Sequence, residues 1–268
     1  VHNIMSELIT ACRDGDIEKV KQLLDNNANV NESDSYMYTP LITAAESQHV
    51  EVVKELLKHK ECNVNAYEYE STTALHYATM RDNTEIILAL LNCEDIDVNF
   101  QCSFGVGDGR IPLHWSSHAG NMEAVKALLN KGADVTIFSR RCWGNCIQAA
   151  AESRASNSIE IMEELLKSNT VTDEALYWAI ATVALQDHNC ELNGLNRDKI
   201  YQKFSVLTGD VISLESIRNY ISGKLAAGAS EEDFEWGPTC SVSTRSHPQI
   251  IEFIESEIKS RRVKSAKN

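Results

Sequence analysis

Apolar and small residues recur along the chain at helical spacing, and the same pattern of apolar and polar positions returns about every 34 residues. The apolar residue that opens each return is Leu8, Leu41, Leu75, Leu113 and Ile147, at intervals of 33, 34, 38 and 34 residues. The segments that follow include "LITACRDGDIEKVKQLLDNNANVN", "LITAAESQHVEVVKELLKHKECNVN" and "LHWSSHAGNMEAVKALLNKGADVT". Each return predicts one supersecondary unit of two helices joined by a polar turn.

Within a unit, the first helix is expected to start after Thr39-Pro40, Thr73-Ala74 or Ile111-Pro112. A Thr hydroxyl caps a first turn, and Pro fits where the N–H would lack a helical partner anyway. Ala44, Ala45, Ala78, Thr79, Ser116, Ser117, Ala150 and Ala151 then provide a run of small residues that lets neighbouring helices approach closely. Asp82-Asn83 and Gly120-Asn121 read as turns, and the second helix carries an apolar stripe such as Val52, Val53, Leu56 and Leu57. One unit cannot bury that stripe alone, so the units are expected to stack in a row.

The stretches "TPLITAAESQHVEVVKELL" and "PLHWSSHAGNMEAVKALLNKGADV" resemble the ankyrin repeat at most positions. The resemblance covers residues 5–168, with four clear units and one worn one. It implies an all-α solenoid of helix–turn–helix units with protruding hairpin-like fingers, the fingers and first helices forming a concave face. It also implies that His76 and His114 tie adjacent units through backbone hydrogen bonds. The second unit departs from the pattern at Ile42, where His is usual. The fifth has Asn145, Cys146, Ile147 and Gln148 for Thr, Pro, Leu and His, as a terminal repeat would.

Residues 1–169 are therefore expected to form the ankyrin array. Beyond Thr170 the period disappears, while helical patterning continues through "DEALYWAIATVAL", "RDKIYQKFSVL", "SLESIRNYISGKL" and "HPQIIEFIESEIKSRR". Asp173, Asp198 and Ser213 are candidate caps and Pro248 a first-turn residue. Residues 170–268 are expected to be a helical extension packed on the last repeat through Ala175, Leu176, Ala179 and Ile180.

Composition narrows the partners. The chain has 268 residues, 43% hydrophobic and 24% charged, the balance of a folded soluble protein. Its 39 Asp and Glu outnumber 25 Lys and Arg for a net charge of −14, which disfavours nucleic acid and anionic membrane and favours a protein or peptide, notably one with a basic segment. No apolar run is long enough to span a membrane and no secretory signal is seen, so a cytoplasmic monomer is expected, in the host cytosol if the chain is a secreted bacterial effector. The 8 Cys are scattered, which favours reduced thiols. The basic run Arg261, Arg262, Lys264 and Lys267 reads as a helix end trailing into solvent.

Alignment with the family pattern leaves the fingers and the exposed ends of the first helices free of framework duty. They hold Tyr36, Tyr38, Glu46 and Ser47 in the second unit and Tyr67, Tyr69, Glu70, Met80 and Arg81 in the third. The fourth contributes Phe104, Arg110 and His118, and the fifth Phe138, Arg140, Arg141 and Trp143. Tyr, Trp and Arg anchor protein interfaces at low entropy cost. The competing account is that some rings pack sideways on adjacent fingers. Charge is graded along the same row, with Glu32, Asp34, Glu68 and Glu70 early and Arg140 and Arg141 late. The connection "NFQCSFGVGDGRIP" is longer by four residues than the 34-residue unit and reads as an enlarged finger; it lacks the strand and the Lys-Ser/Thr of a phosphate loop.

No cofactor or metal is called for. His114, His118, Cys142 and Cys146 suggest a zinc set only if the framework role of His114 is ignored. Cys142, or Cys240 with His247, would need a base in hydrogen-bond reach to act as a nucleophile, and Cys12, Cys93 and Cys146 read as core packing. The expected function is a non-enzymatic adaptor that binds a protein through the concave face and fingers. The alternative is an ankyrin-containing bacterial effector or enzyme fragment, with thiol chemistry in the C-terminal region.

Overall fold

The computed structural model describes residues 6–103, 109–137, 139, 145–151, 153 and 155–168. The expected helical extension over 170–268 lies outside them, as do Phe104, Phe138, Arg140, Arg141, Trp143 and Cys142.

The described chain is an all-α solenoid of five helix pairs. The pairs are α1 (Glu7–Asp14) with α2 (Ile17–Asp25), α3 (Pro40–Glu46) with α4 (Val50–Leu56), and α5 (Ala74–Met80) with α6 (Thr84–Leu91). They continue with α7 (Pro112–Ala119) and α8 (Met122–Asn130), then α9 (Cys146–Ala151) and α10 (Ser158–Leu166). First helices pack in the series α1, α3, α5, α7, α9, and second helices in the series α2, α4, α6, α8, α10. Among the described residues extended structure is limited to two antiparallel bridges, Tyr67 with Thr73 and Cys102 with Arg110, each closing a finger.

The first helices are short and sandwiched. Every residue from Pro40 to Ala45 and from Ala74 to Thr79 is buried, which the small side chains Ala44, Ala45 and Ala78 permit. The second helices bury one stripe and expose the rest: Val52, Val53 and Leu56 in α4, Ile86, Ile87, Leu90 and Leu91 in α6, and Ala124, Val125 and Leu128 in α8. These stripes join into one core running the length of the stack.

Capping follows the sequence. The Thr39 hydroxyl accepts the Ile42 N–H at 3.3 Å with Pro40 in the first turn. In the third unit Thr73 N–H donates to His76 Nδ1 at 3.3 Å, while His76 Nε2 pairs with the Arg110 carbonyl of the next unit at 3.2 Å. Because a carbonyl only accepts, Nε2 carries the proton and Nδ1 is the acceptor. The worn fifth unit keeps this reciprocal arrangement with other residues: Gln148 N–H donates to Asn145 Oδ1 and Asn145 N–H to Gln148 Oε1, both at 3.0 Å. An amide thus replaces the imidazole without loss of the cap.

A polar seam runs beside the apolar one. Asn31 Nδ2 donates to the Glu61 carbonyl at 2.6 Å, and Asn31 Oδ1 accepts the Asn63 N–H at 2.7 Å. Asn65 repeats this with the Asp95 carbonyl (2.6 Å) and the Asp97 N–H (2.8 Å), and Asn99 with the Gly132 carbonyl (3.1 Å) and the Asp134 N–H (2.8 Å). Each amide uses both ends to satisfy the loop of the following unit. The helix–turn–helix corners add a third tie: Asn157 Nδ2 donates to the Gly120 carbonyl at 2.8 Å. Gly120 has φ 77°, and a Cβ there would collide with Ala155 and Asn157, so no other residue fits that corner.

Two outcomes test this fold. Asn65→Ala removes both inter-unit bonds at one joint and is expected to lower stability by about 1–3 kcal/mol in urea titrations, since each net bond contributes about 1 kcal/mol. Burial pushes the His76 imidazole down to about 4, only partly opposed by its hydrogen bonds to backbone. The unfolded ring titrates near 6.5, so the neutral form supports the fold fully above that pH and the support is lost as pH falls towards 4. The expected loss between pH 7.5 and pH 5 is about 2 kcal/mol, read as a drop in thermal midpoint that His76→Gln, though less stable at neutral pH, no longer shows.

Candidate partner-binding face

The fingers are built on one template. In the first, Asp34 N–H donates to the Tyr38 carbonyl at 3.1 Å, and the Asp34 carboxylate accepts the N–H groups of Tyr36 and Tyr38, both at 2.9 Å. In the second, 34 residues on, Glu68 N–H donates to the Thr72 carbonyl at 3.2 Å, and the Glu68 carboxylate accepts the Glu70 N–H (2.8 Å) and the Thr72 N–H (3.1 Å). In the third, Cys102 N–H donates to the Arg110 carbonyl at 3.0 Å, and the four extra residues fall within the loop this bridge closes. Met37 (φ 67°), Ser71 (φ 57°) and Gly109 (φ 85°) hold the same left-handed position in the three turns.

Neighbouring fingers are stitched together. Tyr69 N–H donates to the Tyr36 carbonyl at 3.1 Å, and Ser103 N–H donates to the Glu70 carbonyl at 2.9 Å. The Ser103 hydroxyl adds bonds to the Glu70 carbonyl at 3.1 Å and the Ser71 hydroxyl at 3.0 Å. This lateral bonding fixes the spacing of whatever projects from the tips.

What projects is aromatic. The large hydrophobic residues most exposed among those described are Tyr36 (63%), Met37 (44%), Tyr67 (46%) and Tyr69 (80%), all on the first two fingers. Tyr67 is shared between two duties, since its ring stacks on Phe100 with centroids 5.4 Å apart, and Phe100 in turn meets His76 edge-on at 6.3 Å. Sideways packing therefore accounts for part of Tyr67. Tyr38 is half-buried, its hydroxyl 2.5 Å from the Tyr77 hydroxyl of α5 and its ring 6.0 Å from that ring. Burial, with Glu46 and Glu68 nearby, pushes both phenols above their ordinary range, so they remain neutral donors and acceptors. Tyr77 was not among the residues singled out from sequence; a Tyr in the middle of a first helix looks like framework, and its link to the finger depends on the fold.

The remaining candidates divide. Glu70 lies at the second finger, and Glu46 pairs loosely with Arg81 at 3.8 Å, both partly exposed, with Met80 beside them at the end of α5. Two assignments are corrected. Arg110 is only 6% exposed, its guanidinium carbon 4.6 Å from the Trp115 ring centroid, because the bridge to Cys102 sets it at the base of the long finger and away from its tip. Glu68, expected as a surface charge, is 3% exposed, because its carboxylate organises its own turn. His118 is half-buried, with Nδ1 3.3 Å from the Ala149 carbonyl, a tie between units four and five. Phe104, Arg140, Arg141 and Trp143 lie outside the described residues.

Electrostatics separate fingers from helices. Segments 28–40, 61–73 and 94–103 hold eight acidic residues and no Lys or Arg. The lysine ion pairs among described residues instead join helix carboxylates: Lys19 with Glu7, Lys21 with Glu18, Lys54 with Glu51 and Glu85, Lys58 with Glu55, and Lys167 with Glu164. Of the eight, Asp34, Glu68 and Glu70 fall in the finger turns, with Glu68 buried, and the other five lie in the loops that lead to the fingers.

Chemistry of other kinds finds little support among the described residues. No group of three or more His, Cys, Asp or Glu is placed to hold a metal. Burial pushes the thiols of Cys12 and Cys62 up to about 12 and raises Cys93 and Cys146 as well, so they stay protonated and poorly nucleophilic. Cys240 and His247 lie outside the described residues.

A family profile described as ankyrin repeats (3 copies) matches residues 8–102 and again 67–139. Among curated proteins, the chain is 32% identical over 156 residues to the transient receptor potential cation channel subfamily A member 1 of Homo sapiens, covering 57% of this chain and 13% of that one. It is 29% identical over 152 residues to a probable E3 ubiquitin-protein ligase, XBOS33, of Oryza sativa subsp. japonica, covering 52% and 28%. It is 30% identical over 125 residues to the neurogenic locus notch homolog protein 2 of Homo sapiens, covering 46% and 5%. The chain thus spans under a third of the length of each of these relatives.

Glu68→Ala is expected to lower stability by about 2 kcal/mol in urea titrations, since it strips two backbone N–H groups of their buried acceptor. Glu70→Ala, at the surface, is expected to change it by less than about 0.5 kcal/mol.

Proposed function

The chain is an ankyrin-repeat protein, and on that premise we propose that it is a non-enzymatic adaptor that grips a partner protein with its fingers and the adjoining ends of its first helices. The observation that carries this reading is the pair of exposed phenol rings, Tyr36 and Tyr69, on two fingers locked together by the Tyr69 N–H to Tyr36 carbonyl bond. Large rings in water contribute nothing to folding, and rings held at fixed spacing lose little entropy on binding.

Met37 and the outer face of Tyr67 extend the patch, Glu70, Glu46 and Arg81 rim it, and Met80 borders it. The acidic surroundings favour a partner with a basic segment, steered by charge and then held by cation–π and apolar contact. In this reading Phe104, Arg140, Arg141 and Trp143 continue the row towards the later units. In this reading the array acts as a monomer in the cytoplasm.

Replacing Tyr36 and Tyr69 together by Ala is expected to weaken a captured partner by about 2 kcal/mol or more, near 30-fold, with an unchanged thermal midpoint. Calorimetric titration of the partner into both forms measures it. Equal affinity with intact folding removes these rings from the interface and rejects the reading.

A further inference from the structure

Met37 differs in kind from the residues that share its backbone conformation. Its φ of 67° is left-handed, and the sister turns fill the same position with Ser71 (φ 57°) and Gly109 (φ 85°). The other non-glycine residues at positive φ among those described are Asn27, Gln48, Ser71 and Asp82, all polar. A long apolar side chain in this conformation strains the backbone, and at 44% exposed it recovers little by burial. Strain kept at a surface position without return to the fold points to a contact with something else. Met37 follows Tyr36 (63% exposed) in the chain, and the bond from the Tyr69 N–H to the Tyr36 carbonyl brings Tyr69 (80%) alongside.

The tips restrict what can bind them. Every N–H from Tyr36 to Tyr38 and from Tyr69 to Thr72 already has an acceptor in its own turn or in the neighbouring finger. A ligand therefore finds no N–H there with which to join as a further β-strand. The donors left are the hydroxyls of Tyr36, Tyr67 and Tyr69, which bond to no described residue. An ordinary extended peptide would press one N–H per residue against rings and a thioether, with a desolvation cost for each. A proline-rich segment in the polyproline II conformation brings no N–H from its prolines, offers its carbonyls to the phenols, and is rigid before it binds. One turn of that helix rises about 9 Å, close to the roughly 8–10 Å between stacked helices, so prolines one turn apart meet adjacent fingers. Glu70 is partly exposed and its carboxylate has no ion-pair partner among the described residues, so a cation at one end of the segment would fix its direction.

We propose that Tyr36, Met37, Tyr67 and Tyr69 bind a proline-rich segment of the partner in the polyproline II conformation, with an Arg of that segment on Glu70. The Tyr36 and Tyr69 rings stack on prolines, and the unbranched, polarizable Met37 side chain fills the space beside them. This inference deepens the reading of the fingers as a partner-binding face and rests on it.

The probe is a fluorescein-labelled peptide of one Arg followed by nine Pro, titrated with the full chain and followed by anisotropy. A peptide of equal length, one Arg followed by alternating Gly and Ser, is the control. The proline peptide is expected to saturate below about 1 mM chain and to bind about tenfold more tightly than the control. Tyr36→Ala and Tyr69→Ala are each expected to weaken it about fivefold or more, and Glu70→Gln about threefold. Met37→Gly is expected to weaken it about threefold while moving the urea midpoint of the chain upward, because glycine relieves the left-handed turn. No saturation by about 1 mM chain, or equal binding of the two peptides, overturns the inference. Affinity unchanged by both Tyr replacements does so as well, because the peptide then sits elsewhere. A urea midpoint unmoved or lowered in Met37→Gly overturns the contact role of Met37, since no strain was being held there. If the proline peptide fails while the Tyr36 and Tyr69 pair still governs the captured partner in calorimetry, only this inference falls. If that pair is also without effect, the partner-binding reading falls with it.

Discussion

The structure depends on one constraint: no unit can hide its own apolar surface. A pair of helices of six to nine residues has too little interior to fold alone, and its buried stripe, such as Val52, Val53 and Leu56, is completed only by the next pair. Burying that stripe also removes loop carbonyls and N–H groups from full solvent contact, and these need partners. Asn31, Asn65 and Asn99 meet that need by engaging both an acceptor and a donor of the following loop, so apolar and polar seams hold the same register. A one-residue slip between units would break both at once.

Because the helices and the asparagine seam carry stability, the fingers are released from it. Their turns are secured locally by the carboxylates of Asp34 and Glu68 and laterally by single backbone bonds, which use main-chain atoms and leave most tip side chains free. The same division governs charge. Carboxylates on the helices meet lysines one turn away, where an ion pair supports the helix modestly. Apart from buried Glu68, the finger carboxylates reach the surface, where mutual repulsion is weak, so they cost the fold little while adding to the field seen by anything that approaches.

The interior is correspondingly quiet. Desolvation keeps the buried thiols protonated and the buried His76 neutral, and the Tyr38–Tyr77 pair remains un-ionised. These groups hold elements together: His76 joins the third unit to the fourth, and Tyr38 joins a finger to α5. Functional potential in the described part is concentrated at the surface, in rings and charges.

The period of 34 residues, the Thr and Pro starts of the first helices, and the small residues between them made the stacked all-α array legible from the chain, because these are local rules of capping and periodicity that need no knowledge of distant neighbours. The exposed Tyr36 and Tyr69 could be anticipated for the same reason: they fall in turns, outside the apolar framework. The asparagine seam was visible as the recurring "VN" of the first three units but had no meaning until the next loop stood opposite it. The half-burial of Tyr67 against Phe100 and the pairing of Tyr38 with Tyr77 were not legible, since each depends on a residue 33 or 39 positions away whose approach is fixed by stacking, and the burial of Arg110 and Glu68 was not legible because it depends on how each finger turn closes on itself. Short-range pattern specifies the units; which side chains of a unit remain open to solvent is settled by the neighbour that covers the rest.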